Sequence, residues 1–459
     1  MEKLLQDIDV KHRIRDPIYG FIHLSDAEMR IVDTPLFQRL RRVHQLALTK
    51  YVYPSAEHSR FVHSLGVMHC ATLILSGVMN HKYTKTIYEY GNRAVKTLRF
   101  AALLHDIGHL PFSHAVERQW LDGLKHEDLS QFIIEHYPPI RDVLESEEVD
   151  PRDVASVLAK KPPAHLNLIH EVVSGELDAD RADYLLRDSH SCGVRYGEYD
   201  FHRFLQIFAA DENPDAGALS LVVDESDLHV AESLLIARYH YNLQIPYHKT
   251  RSGYDEALKR FVRGKDFSED IFRIDEGRIH EVNWDGFAYF DDYCIMEKVK
   301  QAHKDGDGWA KYLLREKHLV PVFDVLSTSE IGAELFKRLV RALRNSQEFE
   351  EDEDFFVQTD TMEIIKRSKS PDLAEGATDV PAPRPSILLY SKEGKGRSRE
   401  CIDISERSWI FKELTKNLEH KDGDEKSEPL MVLRVFVIPE KAEAVRSLLQ
   451  SLEGESREQ

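Results

Sequence analysis

The chain has 459 residues, a formal net charge of −19, 42% hydrophobic residues and 31% charged residues. That is the composition of a folded protein with a large core, not of a disordered chain, and so acidic a balance disfavours non-specific nucleic-acid binding, which phosphate neutralisation drives. No run of eighteen apolar residues occurs, so no membrane span is expected; the polar start Met1-Glu2-Lys3-Leu4-Leu5-Gln6-Asp7 lacks a signal-peptide core, and Cys70, Cys192, Cys294 and Cys401, without disulfide or metal spacing, fit a reducing cytoplasm.

In chain order, Ile14, Ile18 and Ile22 are separated by the turn residues Asp16-Pro17 and Tyr19-Gly20, which predicts a short strand or hairpin. Ser25 with Glu28 three residues on reads as a capping box. The spacing of Leu36, Phe37, Leu40, Val43 and Leu46 predicts a helix over 36–48, and that of Leu65, Met68, Ala71 and Val78 a helix over 63–81. Helices follow over 93–106, 116–124, 126–136, 151–159, 166–174, 180–187 and 232–243. Residues 348–354 form a dense acidic block that reads as a solvated loop, and 368–385, with Pro371, Pro381, Pro383 and Pro385, reads as a linker. Strands at 387–390 and 433–438 and helices at 409–417 and 441–452 follow. The expected fold is mainly α: a helical core over 1–345, an acidic and Pro-rich loop or linker over 346–385, and a small C-terminal α+β appendage over 386–459.

The most informative stretch is His105-Asp106-Ile107-Gly108-His109, which ends the apolar run from Leu98 to Leu104. Unpaired buried polar groups are costly, so they pair or bind a metal. His63 lies upstream and Asp180 downstream. Two imidazoles and two carboxylates suit Mn, Fe, Zn, Ni or Mg. Successive helical residues point about 100° apart, so His105 and Asp106 converge only at a helix end or a cleft, and Gly108 lets the backbone turn there. Any one of these histidines alone reads as a satisfied core residue, and Arg41 and Arg42 read as solvated helix faces. Arg60, three residues before His63, reads as functional. Glu117 lies three residues beyond His114, a spacing at which a carboxylate can orient an imidazole; by itself it reads as a solvated helix carboxylate. His126 reads equally as a surface histidine and as one facing the cleft.

The order His63…His105-Asp106…Asp180 resembles the HD-domain metal-dependent phosphohydrolases. The flanking words Asp16-Pro17-Ile18-Tyr19-Gly20, Asp33-Thr34-Pro35-Leu36-Phe37-Gln38-Arg39-Leu40, Gln45-Leu46 and Pro111-Phe112-Ser113-His114 are similar to the deoxynucleoside triphosphate triphosphohydrolase (dGTPase-like) branch, with no sterile-alpha-motif domain expected ahead of them. The resemblance implies an HD-domain helical core and a divalent metal ion on His63, His105, Asp106 and Asp180. It makes His114 with Glu117 the acid/base pair and turns His126 toward the cleft. It assigns Arg60, His109, Arg181, Tyr184 and Arg238 to the triphosphate, Asp188 to the sugar 3′-hydroxyl, and Gln45 and Leu46 to sugar and base. Tyr184 and Leu46 would close the pocket against a 2′-hydroxyl, though an apolar contact rejects an added hydroxyl by only about a hundredfold. The implied reaction is hydrolysis of a dNTP to deoxynucleoside and tripolyphosphate by a cytoplasmic enzyme, with a homo-oligomer (dimer or tetramer) expected. A phosphodiesterase or phosphatase on another nucleotide, or a nucleotide-sensing binding protein, are the alternatives. One departure matters: the nucleotide-activated vertebrate enzyme has Asn just before the Asp-Pro where Arg15 stands here, so its regulatory guanine-nucleotide site does not carry over.

Overall fold

β1 (Val10–Asp16) and β2 (Gly20–Ser25) pair antiparallel as the expected hairpin. Its turn is closed by Asp16 Oδ1, which accepts from the backbone N–H groups of Ile18 and Tyr19 at 2.8 and 3.0 Å, and by Gly20 at φ +78°. Ser25 then caps the Asp26–Val32 helix with both halves of the capping box to Glu28 in place. In this computed structural model, residues 9–81, 91–113, 116–213, 218–265, 267–327, 330–362, 387–391, 400–415 and 431–458 are described.

The central element is the Arg60–Asn80 helix, packed between the Gly91–Leu104 and Ala179–Cys192 helices. It is long and apolar enough to cross a membrane, yet 78% of its apolar window is buried inside the protein, as befits a core helix. Around it the helices His126–His136, Pro151–Val157, Asn167–Ser174 and Leu228–Gln244 lie within a residue or a turn of the expected spans. One continuous apolar core, from Ile22 and Leu36 through Phe261 to Phe287, joins them.

Two expected helices are shorter. The one expected over 36–48 ends at Arg39, passes through a 3₁₀ turn over Leu40–Arg42, and gives way to extended backbone at Val43. The backbone groups that would extend it are used across the chain instead: Gln45 N–H donates to the His58 carbonyl and Arg60 N–H to the Val43 carbonyl. The helix expected over 116–124 is confined to Glu117–Trp120, ahead of left-handed Asp122 and Gly123.

The strands cross the expected domain limits. β3 (Phe208–Asn213) and β4 (Ala218–Asp224) form a sheet with β9 (Leu388–Ser391) and β10 (Glu400–Asp403), β9 running parallel to β4, so part of the segment after 386 belongs to the core. β7 (Val320–Ser327), β8 (Phe355–Thr361) and β11 (Met431–Val437) make a separate antiparallel sheet in the order β7-β11-β8, against which the Glu330–Asn345 and Ala442–Glu458 helices pack. The α+β unit therefore draws on residues before 345 and on β8, inside the expected linker. Phe355, Val435, Leu339 and Leu343 form its own small core. The acidic block is not free in solvent: Asp352 pairs with Arg260 and Arg263, and Glu351 with Arg344. The remaining short sheet pairs β5 (Phe272–Asp275) with β6 (Arg278–Val282). The Pro-rich stretch 368–385 lies outside the described residues.

The hairpin is locked to the bundle by a buried ion pair. Arg99 Nε and Nη2 donate to the two Glu28 oxygens at 2.5 and 2.8 Å, and its other N–H groups reach Thr72 Oγ1 and the His23 carbonyl. Both side chains are 1% exposed, so removing one partner strands the other charge in the core. Glu28→Ala is expected to cost about 3–5 kcal/mol, read as a large fall in the urea midpoint; Glu28→Gln, which keeps the cap, should fall less.

Candidate metal centre

Three elements deliver the four expected ligands. The Arg60–Asn80 helix carries His63 in its first turn. The Gly91–Leu104 helix stops at Leu104, and His105 and Asp106 lie in the turn beyond it, where Ile107 N–H donates to the Leu104 carbonyl and His109 N–H to the Asp106 carbonyl. The Ala179–Cys192 helix, capped by the Asp178 carboxylate, holds Asp180 in its first turn. Gly108 is required here: a Cβ on it would meet the His126 carbonyl at 2.4 Å and Ser130 N at 2.5 Å. Ser130 Oγ clasps the same turn, donating to the His105 carbonyl and accepting from Gly108 N–H.

The four side chains converge. His63 Nε2 lies 3.0 Å from Asp180 Oδ1 and 3.8 Å from Asp106 Oδ2; His105 Nε2 lies 3.3 Å from Asp106 Oδ1 and 3.9 Å from Asp180 Oδ1. Ligand atoms of His63, His105 and Asp180 all fall within 4.8 Å of one another. Their partners set the tautomers. His63 Nδ1–H donates to Asp183 Oδ2 at 2.8 Å and His105 Nδ1–H to the Ala102 carbonyl at 2.8 Å, so both rings present Nε2 inward, the arrangement that metal-binding imidazoles favour. His105 Nε2 is buried with no hydrogen-bond partner. This orphaned atom, in a mixed imidazole–carboxylate donor set, fits a divalent cation. Behind His63, Arg187 grips Asp183 through Nε and Nη2 and reaches Asp16 Oδ2 with Nη1.

A second group adjoins the first. Arg60 Nη1 donates to Asp106 Oδ2 at 2.5 Å and its Nε to Ser113 Oγ at 3.0 Å. His109 Nε2 is 3.2 Å from Asp106 Oδ1, and its ring stacks on His126 at 3.6 Å. His126, half-buried at the start of its helix, donates through Nδ1–H to Glu117 Oε1 at 3.0 Å, and the same oxygen accepts the His126 backbone N–H. His126 therefore faces the cleft. Glu117, expected beside His114, orients His126 across nine residues; His114 itself lies outside the described residues. The turn from Ile107 to Ser113 is pinned from outside: Phe112 and Ser113 hold φ of +56° and +53°, Asp292 Oδ1 accepts Phe112 N–H, and Arg39 donates to the Ile107 and His109 carbonyls.

Of the substrate residues expected from the sequence, Arg181, Tyr184 and Asp188 lie on the same helix as Asp180. Asp180, Tyr184 and Asp188 recur every fourth residue along one face. Asp188 receives His58 Nε2–H at 2.7 Å and the Tyr241 hydroxyl at 2.5 Å. Gln45 is tied to His58 through the backbone and its Oε1 is buried without a hydrogen-bond partner; Leu46 is half-buried against the core. Arg181 donates to the Gly175 carbonyl and the Asp178 carboxylate, and Arg238 contacts Glu176. Asp183, Arg187, Ser130, Asp292, Glu176, His58 and Tyr241 were not expected. Only Asp183, three residues after Asp180 and so on the same side of the helix, carried a sequence signal.

The charges are strongly shifted. Burial disfavours ionisation of Asp106, but Arg60 and the neighbouring imidazoles outweigh it and hold the carboxyl well below its usual range. Desolvation likewise opposes, and His63 and His105 overcome, the fall of Asp180 to about 2. Burial lowers His63, yet hydrogen bonds to Asp180 and Asp183 prevail and raise it to about 10. His109 is pushed well down by burial and by Arg60.

This combination of a helical core and a His…His-Asp…Asp centre defines the HD domain, and the HD-domain family model matches residues 60–188, from Arg60 to Asp188. Over that stretch the chain carries the HD-domain pattern. It is 33% identical over 286 residues to an uncharacterized protein of Methanocaldococcus jannaschii, covering 62% of this chain and 57% of that one. It is 31% identical to the deoxynucleoside triphosphate triphosphohydrolase SAMHD1 of Homo sapiens over 45% of this chain and 37% of that protein. The chain thus spans less than two thirds of either relative. A crystal structure of a hypothetical protein from Aquifex aeolicus shares the fold over 95% of this chain and 99% of that one, with a TM-score of 0.71 and 26% identity.

Cation binding should release a proton. With its pKa near 10, His63 is protonated at pH 7 in the cation-free protein, whereas a ligating imidazole is neutral. Titration with Mn²⁺ in two buffers of different ionisation enthalpy should show release of about one proton per site at pH 7, falling away above pH 10. In the cation-free protein the raised His63 contributes stability that is full below the unfolded value of 6.5 and is lost as pH rises through about 10. Cation binding without proton release would show that Asp180 and Asp183 do not hold an imidazolium.

Proposed function

We propose that the protein is a metal-dependent phosphohydrolase that cleaves deoxynucleoside triphosphates to deoxynucleoside and tripolyphosphate. The observation that carries this reading is a pair of buried arginines beside the centre. Arg181 follows Asp180 directly, Arg238 faces it across Glu176, and the Nε atoms of both are buried without hydrogen-bond partners. Unpaired guanidinium N–H groups in a desolvated site call for an oxyanion. The names of relatives such as the human enzyme support the same substrate class.

His63, His105, Asp106 and Asp180 would hold the cation, which when bound polarises a phosphoryl oxygen and lowers the pKa of water. Asp183 and the Ala102 carbonyl keep the two imidazoles turned to it, and Arg60 fixes Asp106. Hydrolysis adds water oxygen to the α-phosphorus and breaks its bond to the nucleoside 5′-oxygen, which must gain a proton. His126, held by Glu117 through Nδ1 and stacked on His109, is the group we assign to that transfer; His114, named for it by family resemblance, is the second candidate. Arg181 and Arg238, with His109 and Arg60, hold the polyphosphate that departs. Gln45, Leu46, Tyr184 and Asp188 form the nucleoside end, where the Tyr184 ring packs 5.2 Å from Tyr241.

Incubation with each dNTP and rNTP plus Mn²⁺ or Mg²⁺ should yield deoxynucleoside and tripolyphosphate on chromatography. Accumulation of dNMP with pyrophosphate, or of dNDP, would assign a different bond and sink the reading. His126→Ala should lower turnover by about 10²–10⁴-fold with metal content retained; if His114→Ala alone does so, the proton passes through His114 instead.

A further inference from the structure

The carboxylate of Glu176 lies between the two arginines assigned to the polyphosphate. Its Oε2 is 3.3 Å from Arg238 Nη1 and its Oε1 is 3.7 Å from Arg181 Nη2. All three side chains are more than nine-tenths buried, at 8, 7 and 5% exposure. Arg181 has its own anchor in Asp178 and the Gly175 carbonyl. Glu176 is the acidic partner of Arg238 among the described residues.

These contacts are long for charge-assisted hydrogen bonds, which run about 2.7–2.9 Å. Glu176 neutralises the pair without clasping it, and both Nε–H groups still lack acceptors. A phosphate offers three oxygens and more charge, and can meet both guanidinium forks side-on. It cannot do so while the carboxylate occupies the space between them. Any polyphosphate binding there must displace Glu176 or bind beside a like charge, and either one weakens it.

We infer that Glu176 is an internal competitor of the polyphosphate: it holds the Arg181–Arg238 pair at rest, is exchanged for phosphate on binding, and recaptures the arginines as the product leaves. The inference rests on the reading that these two arginines hold polyphosphate. It makes Glu176 a positioning residue that acts through the arginines, setting residence time and not chemistry.

The test is calorimetric titration of the metal-loaded protein with magnesium tripolyphosphate. Glu176→Gln keeps size and hydrogen bonding but removes the charge, and should bind tripolyphosphate about tenfold more tightly, with unchanged metal content and stronger product inhibition by added tripolyphosphate. In an Arg238→Ala background the same change should have little effect, since the competed group is gone. Equal or weaker binding by Glu176→Gln, while the wild type binds, overturns the competitor role alone and shows that the carboxylate aims the arginines. Failure of the wild type and the variant alike to bind tripolyphosphate overturns the polyphosphate reading and this inference with it. Glu176→Ala serves as the second variant should the glutamine form fail to fold.

Discussion

The Asp183 carboxylate is buried against His63, with Arg187 on its other side and Asp16 beyond that. His63, the ligand on the central helix, takes its orientation from this one desolvated chain of charges. It fixes which nitrogen of His63 carries the proton, and so which one is offered inward. A buried ion pair adds little net stability, but losing one member leaves the other uncompensated. The network thus works as a constraint on geometry. Even the central helix yields to it: Gly66 is the residue facing the pair, and a Cβ there would lie 2.0 Å from Asp183 Oδ1 and 2.5 Å from Arg187 Nη2.

Because Asp16 ends β1 and closes the hairpin turn, the network also joins the β1–β2 hairpin to the ligand helix. The Arg99–Glu28 pair makes a second such link from the hairpin's helix to the Gly91–Leu104 helix, whose end delivers His105 and Asp106. Arg39 and Asp292 tie the turn after that helix to the Phe287 ring of the Trp284–Ala288 helix, the Phe290 carbonyl beyond it and the start of the Asp292–Lys304 helix. The centre is braced from several sides by charged groups taken wholly out of water, which explains how a site built from turns and helix ends can be well defined.

The tetrad and the helices that carry it were legible because their signals are local: an apolar period that ends in His-Asp, a capped turn, a repeated flanking word. The support behind the tetrad was not legible. Asp183 and Arg187 are an i, i+4 pair on one helix, but they meet Asp16 only after that helix packs on the hairpin, and no local spacing announces that contact. Glu117 illustrates the same limit. Its i, i+3 spacing pointed to His114, but no local spacing announced that its carboxylate also meets His126, nine residues on. The helix expected over 36–48 had the right period, but its backbone groups are taken by residues 58–60, a tertiary demand that overrides propensity. β8 was hidden because seven residues dominated by carboxylates precede it, although Phe355 and Phe356 are both fully buried.

The order β7-β11-β8 has a consequence for how the chain is made. The middle strand of that sheet comes last in the sequence, and its side chains from Val432 to Val437 are buried. β7 and β8 do not pair with each other; each is completed only by β11. During synthesis the helical core and its metal centre can consolidate while these two strands wait with open edges, a state prone to off-pathway pairing. The pairs of Asp352 with Arg260 and Arg263 tie the segment ahead of β8 to the Lys249–Val262 helix and its end by charge. Assembly of the appendage is therefore a late event, separate in time from assembly of the site.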